Sequence, residues 1–407
     1  MLQTSALCSL FLLITIFLFT GASQPALAQS ESESERDKAL RLLWQESKPA
    51  AALPLLEKLA KERPDDAAVA FSYGFALLAK VKILKDADAR KQTRIEARSW
   101  LLKAQQLGFK NALLTSALEG LPPDGGKDEV YSPVKEADDA MRDGEAHYVN
   151  GDFAAAAEAY QRALKADSKL YEAALFTGDM YFKLNQNDKA DEWYSKAVQL
   201  DPNRETAYRY SATPYLRAGK LDEAKKRYID AVIAEPYNNM SWSGLSQWAK
   251  EAGVQLGHPR VDIPTDVKTS ETTGNLTITL DPKVGEGKED PTGTGAWMFY
   301  GIHRASWKFT KFAKEFPNEK IYRHSLREEA AALQGVVEAV KQRQKEKKIK
   351  ELDPSLATLV KLSDEGLMEP YILFALVDKD IAQDYAEYRK ANREKLRRYL
   401  VEYVTAK

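Results

Sequence analysis

Small and aromatic residues recur at a fixed period in the middle third of the chain. Tyr160, Tyr194 and Tyr228 are each 34 residues apart. Alanines repeat with the same spacing at two further positions: Ala156, Ala190 and Ala224, and Ala163, Ala197 and Ala231. Regular self-similarity of this length indicates stacked helical repeats, in which each helix pair buries its apolar face against the next pair. The pattern therefore predicts an α-helical array without an insertion between its units.

The unit boundaries follow from the turn residues. Gly151 and Gly219 mark the turn between two paired helices, and Asn185 takes that place in the middle unit. Proline closes two units, at Pro202 and Pro236. The pattern divides the segment into units 137–170, 171–204 and 205–238, and a half unit with Trp242 and Leu245 on its inner face ends near Glu251.

These positions resemble the tetratricopeptide repeat family. The family pattern places small residues at the eighth, twentieth and twenty-seventh positions, aromatic residues near the eleventh and twenty-fourth, and proline at the thirty-second. The matching residues are Gly144, Ala156, Tyr160 and Ala163, then Gly178, Tyr181, Ala190, Tyr194, Ala197 and Pro202, then Ala212, Tyr215, Ala224, Tyr228, Ala231 and Pro236. The first unit departs from the pattern at Ser168, where proline is absent. The resemblance covers residues 137–252 and implies an α-solenoid of helix pairs.

A weaker version of the pattern precedes this block, over residues 33–120. Leu40, Leu43, Ala52, Leu56, Leu59 and Pro64 fall at repeat-like places. A second unit begins at Gly74 and is interrupted by the charged segment 80–94, an insertion of about eleven residues against the repeat period. We interpret 37–121 as degenerate repeat helices, which end before the breaker cluster 122–126.

The C-terminal third has a different pattern. The segment 253–295 is rich in Pro, Gly and Thr, and the alternation from Asn275 to Asp281 predicts a strand that pairs with Val267–Thr272. Residues 296–407 read as further helices, and the 34-residue spacing stops there. The predicted fold class is all-α: a repeat solenoid, a short linker with one hairpin, and a C-terminal helical domain of a family we do not recognise.

The N-terminal segment is typical of a secretory signal. An apolar run from Leu10 to Phe19 is followed by Ala26-Leu27-Ala28, a small-x-small cleavage site. We predict a signal peptide over 1–28 and a disordered leader over 29–36. The alternative is an uncleaved anchor, although the run is shorter than the ~20 residues of a membrane span. The hypothesis places the mature chain in the periplasm or outside the cell, with no transmembrane span.

Cysteine and charge exclude several functions. The only cysteine, Cys8, lies in the predicted signal, so the mature chain could form no disulfide, thiolate metal site or cysteine nucleophile. The 59 basic and 60 acidic residues nearly cancel, which argues against nucleic acid as a partner. Basic stretches at 341–350 and 389–398 read as solvated helix faces, with contact to lipid or acidic polysaccharide as the alternative.

The resemblance implies a peptide-binding groove formed by the first helix of each unit. Its predicted residues are Tyr148, Glu172, Leu175, Asp179, Phe182, Lys183, Arg209, Thr213, Leu216 and Arg217. Pro214 lies inside the first helix of the third unit, where it either widens the groove or is a tolerated kink.

Few residues are candidates for catalysis or for metal binding. His303, Arg304, His324 and Glu328 could form part of a site, since His324 and Glu328 are four residues apart and would share a helix face. A metal site needs a further ligand, and we favour local hydrogen bonds for both histidines. Gly293-Thr294-Gly295 could bind an anion at a helix start, but a hinge is the better interpretation.

These observations favour a protein- or peptide-binding scaffold in the bacterial cell envelope, with no cofactor and no metal. Two alternatives stay open. In one, the C-terminal domain is an envelope-polymer or peptide hydrolase. In the other, the chain is a structural subunit of an envelope-assembly or export complex. The sequence fixes neither the partner nor the oligomeric state.

Overall fold

The structure, a computed structural model, describes residues 33–46, 48–269, 276–281, 284, 290–376 and 378–406. The predicted signal peptide and residues 29–32 of the predicted leader lie outside these residues. The described chain is helical apart from one two-stranded sheet, which confirms the all-α prediction. Within the described residues, no helix combines the length and apolarity that crossing a bilayer requires. The chain divides into two compact units, Met1–Pro202 and Asn203–Lys407, and the boundary falls inside the predicted repeat block.

The described part of the first unit consists of consecutive antiparallel helices. They are α1 (Glu35–Trp44), α2 (Pro49–Glu62), α3 (Ala67–Ile83), α4 (Ala87–Gln106), α5 (Ala112–Gly120), α6 (Lys135–Val149), α7 (Phe153–Ala166), α8 (Tyr171–Lys183) and α9 (Asn187–Leu200). The charged segment 80–94 is mostly helical, because α3 and α4 are longer than the helices of the strict repeats. The predicted insertion therefore lengthens a helix pair instead of forming a loop.

The second unit begins with the third repeat. Its α-helices are α10 (Glu205–Arg217), α11 (Leu221–Ala234), α12 (Asn239–Ala252), α13 (Met298–Ser306), α14 (Phe312–Glu315), α15 (Leu326–Lys345), α16 (Pro354–Asp364), α17 (Met368–Ala375) and α18 (Tyr385–Tyr399). Short 3₁₀ turns cover Thr294–Trp297 and Ile381–Asp384, and π-helical turns cover Trp307–Lys311 and Leu400–Val404. Pro214 lies within α10, which continues to Arg217.

One hairpin interrupts the helices of the second unit. Strand β1 (Thr265–Thr269) pairs antiparallel with β2 (Leu276–Leu280), so that Val267 lies opposite Ile278. Thr265 is buried and donates a hydrogen bond from Oγ1 to the carbonyl oxygen of Trp297 at 3.3 Å. This part of the predicted linker is thus packed on the C-terminal helices.

Close helix approach defines the repeats. A Cβ atom on Gly144 would lie 2.3 Å from the Tyr160 ring, and one on Gly178 would lie 2.7 Å from the Tyr194 ring. Both tyrosines are about 1% exposed. Glycine is therefore required at these two positions, where the first helix of the pair meets the tyrosine of the second. The third pair has Ala212 at the equivalent position.

Each tyrosine hydroxyl is also held by the first helix. Tyr160 donates to Glu145 at 2.9 Å, and Tyr194 donates to Asp179 at 2.7 Å. In the third repeat Thr213 occupies the equivalent place. Burial raises the pKa of Tyr228, and a hydrogen bond with Thr213 acts in the opposite direction. The 34-residue period is thus a period of hydrogen bonds as well as of packing.

The turns between paired helices adopt the left-handed conformation. The φ angles are +78° at Gly151, +58° at Asn185 and +70° at Gly219. Asparagine tolerates this region better than most residues with a Cβ atom. The substitution of glycine by Asn185 therefore preserves the turn.

Helix α18 closes the carboxyl end of α11. Tyr385 donates to the carbonyl oxygen of Ile233 at 2.7 Å, and Arg389 donates to the carbonyl oxygen of Ala234. Arg397 pairs with Asp230 at 2.5 Å. The interpretation of 389–398 as a solvated face is wrong for Arg389 and Arg397. Arg389 supplies a donor that the last carbonyl groups of α11 need, and Arg397 pairs with a carboxylate of the same helix.

We predict that Gly144→Ala lowers the thermal midpoint of unfolding. The added methyl group collides with a fully buried ring, at a cost of about 1–3 kcal/mol, while the gain in helix propensity is at most about 1 kcal/mol. Thermal unfolding followed by circular dichroism measures the balance. The control is Gln199→Ala at an exposed helical position. A Gly144→Ala protein as stable as the native chain would show that the helices do not require this approach.

Candidate functional site

Two predicted groove residues of the first unit, Tyr148 and Lys183, lie near Phe153, which the sequence did not indicate as a groove residue. The rings of Tyr148 and Phe153 lie 6.1 Å apart, and the ammonium group of Lys183 lies 5.9 Å from the Phe153 ring. Tyr148, Phe153 and Phe182 are half-buried, and Lys183 is exposed. Burial, followed by the charges of Asp179 and Glu145, raises the pKa of Tyr148 to about 12. Tyr148 is therefore a neutral hydroxyl at physiological pH.

Two predicted groove residues belong to the core. Leu175 is 4% exposed, and Asp179 is 7% exposed because its carboxylate accepts the hydroxyl of Tyr194. The structure therefore removes Leu175 and Asp179 from any exposed wall. Glu172 is half-buried on α8, and its role in ligand contact stays a prediction, as do the roles of Tyr148, Phe182 and Lys183.

The predicted groove residues of the second unit lie on α10. Arg209 forms a two-bond ion pair with Glu205, at 2.7 and 3.0 Å, and its guanidinium carbon lies 4.7 Å from the Tyr210 ring. The side chain of Glu205 is only 3% exposed. Removing Arg209 would leave a buried carboxylate without this partner, so Arg209 also has a structural role.

The remaining groove predictions differ in accessibility. Thr213 is half-buried and donates to the carbonyl oxygen of Arg209 at 3.4 Å. Leu216 packs on the core of the second unit, while Arg217 is exposed at the end of α10. Contact of these side chains with a ligand stays a prediction.

A second cluster, of buried charges, lies in the C-terminal helices. Arg304 donates to Glu328 at 2.7 Å and to Glu329 at 3.2 Å, and both carboxylates are almost fully buried. Tyr300 donates to Glu329, and Tyr322 donates to Glu328 at 2.7 Å. Oxygen Oε2 of Glu328 has no hydrogen-bond partner among the described residues. The cluster ties α13 to the first turn of α15.

His324 extends this cluster. Its Nδ1 lies 2.8 Å from Asp378, and its Nε2 lies 2.9 Å from Glu329. Burial acts to lower the pKa of His324, but the hydrogen bonds to Asp378 and Glu329 outweigh it and raise the pKa to about 9. The hydrogen bond from His324 in turn lowers the pKa of Asp378 to about 2, against the effect of burial. The imidazolium between two carboxylates is therefore charged near neutral pH.

The sequence interpretation of these histidines was partly wrong. His324 precedes α15, whose N-cap is Ser325, so His324 and Glu328 do not share a helix face. His303 packs against Gly335, where an added Cβ atom would lie 2.4 Å from the ring, and His303 is not part of the cluster. The described residues contain no group of three or more His, Cys, Asp or Glu residues arranged to hold a metal ion.

An open cavity of about 420 Å³ adjoins the cluster. Its polar lining comes from Thr265, Tyr300, His324, Glu329 and Asp378, and its apolar lining includes Leu376 and Ile381. Sequence reasoning missed Tyr300, Glu329 and Asp378 as members of one site. Asp378 is 54 residues from His324, and no local spacing indicates such a contact.

The predicted anion site at Gly293-Thr294-Gly295 is occupied by a carboxylate of the chain itself. Asp290 accepts the backbone N–H of Gly295 at 2.9 Å and the hydroxyl of Thr294 at 3.2 Å, and it pairs with Arg343 at 2.8 Å. Asp290 is 6% exposed. The segment is therefore an internally capped helix start rather than a hinge or an open anion site.

The ion pairs of His324 with Asp378 and Glu329 predict a specific pH dependence of stability. The folded-state pKa of about 9 lies above the ordinary value of 6.5, so the stabilisation is complete below pH ~6.5 and is lost as pH rises through ~9. Compared with a His324→Gln variant, the native chain should lose about 3 kcal/mol of relative stability across that range. Urea unfolding at a series of pH values measures the difference.

The matching control is His147→Gln, which removes an exposed imidazole of the first unit. The difference in the free energy of unfolding between His147→Gln and the native chain should vary little over the same pH range. At acid pH the contribution of Asp378 is lost only as pH falls from ~3.8 towards ~2. A native chain that gains stability relative to His324→Gln above pH 8 would contradict the assigned ion pairs.

Comparison with known proteins identifies the repeat segment. Residues 142–205 match the family model described as tetratricopeptide repeat, and no curated protein matches the chain. Three similar solved structures are the second tetratricopeptide domain of human RPAP3 in complex with an HSP70 peptide, the Sgt2 domain from Aspergillus fumigatus, and the TPR2AB domain of yeast Sti1 in an HSP90 complex.

The likeness to these structures is limited to part of the chain. The human domain is 25% identical over 29% of this chain and 98% of its own, with a TM-score of 0.27. The Aspergillus domain is 19% identical over 31% and 85%, and the yeast domain 16% identical over 54% and 84%, each with a TM-score of 0.28. The family model agrees with the 34-residue period and with the glycine–tyrosine contacts, so the matched segment, residues 142–205, consists of tetratricopeptide repeats.

Proposed function

We propose that the repeats bind a peptide segment of a partner protein. The observation that carries the proposal is the group formed by Tyr148, Phe153 and Lys183 on successive helices of the first unit. Two partly exposed rings beside an exposed ammonium group provide an apolar contact and a charge at one place. Aromatic side chains lose little conformational entropy on binding and contribute strongly at interfaces.

This group favours a particular chemistry in the ligand. An apolar side chain would pack on the rings of Tyr148 and Phe153, and a carboxylate would face the ammonium group of Lys183. The neutral hydroxyl of Tyr148 can donate to a peptide carbonyl group, since its pKa lies far above physiological pH. We therefore propose a peptide that has an acidic residue close to a large apolar residue.

The site of action that we propose is the cell envelope. The proposal is supported by the apolar run from Leu10 to Phe19 and the small residues that precede Gln29. Mass spectrometry of the protein isolated from its native cells gives the N-terminal residue directly. A mature chain that begins at Gln29 would support export with cleavage, whereas retention of Met1 would contradict cleavage.

The hydrolase alternative receives less support from the geometry. His324 is held in its charged form by two carboxylates, and a histidine that acts as a general base must be neutral at the working pH. The residues Arg304, Glu328 and Glu329 neutralise one another in the core. We therefore favour binding over catalysis as the function of the chain.

Site-specific crosslinking tests peptide binding. The photoreactive amino acid p-benzoylphenylalanine replaces Phe182 in the full chain, and the protein is irradiated in its native cells. We expect discrete crosslinked species from position 182. The matched control places the same photoreactive amino acid at Lys165. This position is exposed on α7 and does not belong to the cluster of Tyr148, Phe153 and Lys183. Equal crosslinking from both positions, or none from position 182, would contradict the proposed site.

Charge reversal tests the role of Lys183. We predict that Lys183→Glu weakens binding of the crosslinked acidic peptide by about tenfold, because opposite charges across an interface are replaced by like charges. The control Lys165→Glu makes the same change in net charge away from the rings. Fluorescence anisotropy of the labelled peptide measures both affinities, and circular dichroism checks that both variants are folded. A stable partner in a fixed ratio would instead favour the structural-subunit alternative.

A further inference from the structure

Helix α13 and the turn that follows it expose an apolar face. Met298 is 50% exposed, Ile302 is 55% exposed and Phe309 is 67% exposed. Met298 and Ile302 are four residues apart, so they lie next to each other on the helix surface. Phe299 adds a further ring that is 44% exposed. We call Met298, Phe299, Ile302 and Phe309 the exposed apolar face.

The exposed apolar face is not required for the core. The opposite side of the same segment supplies the buried side chains Tyr300, Arg304 and Trp307. Strand β2 lies beside the helix, because a Cβ atom on Gly301 would be 2.6 Å from Ile278. Ile278 is itself 38% exposed and continues the apolar surface. Contiguous large apolar side chains on a surface mark an interaction site far more often than isolated ones do.

The chain segment that contains and follows Phe309 is predominantly basic. The segment 307–321 contains Lys308, Lys311, Lys314 and Lys320, and the ammonium group of Lys308 lies 5.7 Å from the Phe309 ring. Its two acids are already neutralised, since Glu315 pairs with Arg327 at 2.7 Å and Glu319 pairs with Arg323 at 2.8 Å. Across the described parts of the chain, no ion pair joins Lys311, Lys314 or Lys320 to an acid.

We propose that the exposed apolar face binds the surface of an anionic lipid bilayer. The apolar side chains would enter the boundary between headgroups and acyl chains, and the lysines would contact anionic headgroups. Helix α13 has nine residues, so it would lie in the membrane surface and not cross it. The charge also disfavours a second copy of the chain as the occupant, because a symmetric contact would bring the same lysines together.

An environment-sensitive fluorophore tests the contact. The full chain carries Cys8→Ser and Ile302→Cys, labelled with NBD, and is mixed with vesicles of phosphatidylcholine alone or with added phosphatidylglycerol. We expect a blue shift and an increase in emission with the anionic vesicles. The control carries the label at Val130, which is 54% exposed in the first unit, and should keep the emission of a dye in water. The predicted N-terminal apolar run is present in both proteins, so it cannot produce the difference.

Charge variants test the lysines. Lys311→Glu with Lys314→Glu should weaken partition into anionic vesicles by at least about tenfold, because each lysine near the surface contributes about 1 kcal/mol. The control, Lys345→Glu with Lys347→Glu, makes an identical change in net charge at the exposed end of α15 and should bind as the native chain does.

Several outcomes would overturn the proposal. A label at position 302 that stays in water at saturating anionic lipid excludes membrane contact by this face. A shift that depends on protein concentration and needs no lipid shows that the face joins two copies of the chain. Equal loss of partition in both lysine pairs shows that binding follows total charge and not this face.

Discussion

The contact between a tyrosine ring and the backbone of a facing helix determines the repeats. At Gly144 and Gly178 the ring of the second helix occupies the space that a side chain would fill. The hydroxyl group of each ring is then close enough to the first helix to donate to Glu145 or Asp179. Packing and hydrogen bonding thus set the same distance between the two helices of a pair. The relative position of the two helices follows from that distance. This double requirement holds in the first two units, whereas the third unit has Ala212 and Thr213 at the equivalent positions.

Both units bury charged side chains. In the first unit, Glu145 and Asp179 accept hydrogen bonds from neutral tyrosines, and Asp138 pairs with the buried Arg142. In the second unit, Arg304 and His324 each balance more than one carboxylate. Such clusters are stable only when their members are held in place by the surrounding helices. The cavity beside His324 therefore has a charged wall whose side chains are joined to one another by hydrogen bonds.

The repeats could be predicted from the sequence because their contacts are local. Gly144 and Tyr160 are 16 residues apart, and the same contact recurs with the period, so a pattern of residue types reports it. The turn at Asn185 could be predicted for the same reason. Arg304 is 24 residues from Glu328, and His324 is 54 residues from Asp378. These partners occur once and at unrelated spacings, and only the packing of α13, α15 and the segment after α17 brings them together.

The closure of α11 by α18 has a consequence for the order in which the chain acquires its structure. Tyr385 bonds to a carbonyl group 152 positions earlier, and Arg389 to one 155 positions earlier. During synthesis, the first two repeats can complete their contacts while the end of α11 still lacks its donors. The third repeat then matures only when nearly the whole polypeptide has emerged, because contacts so distant in sequence form late. Until then the second unit is incompletely folded, and chaperones and proteases of the cell would compete to bind it.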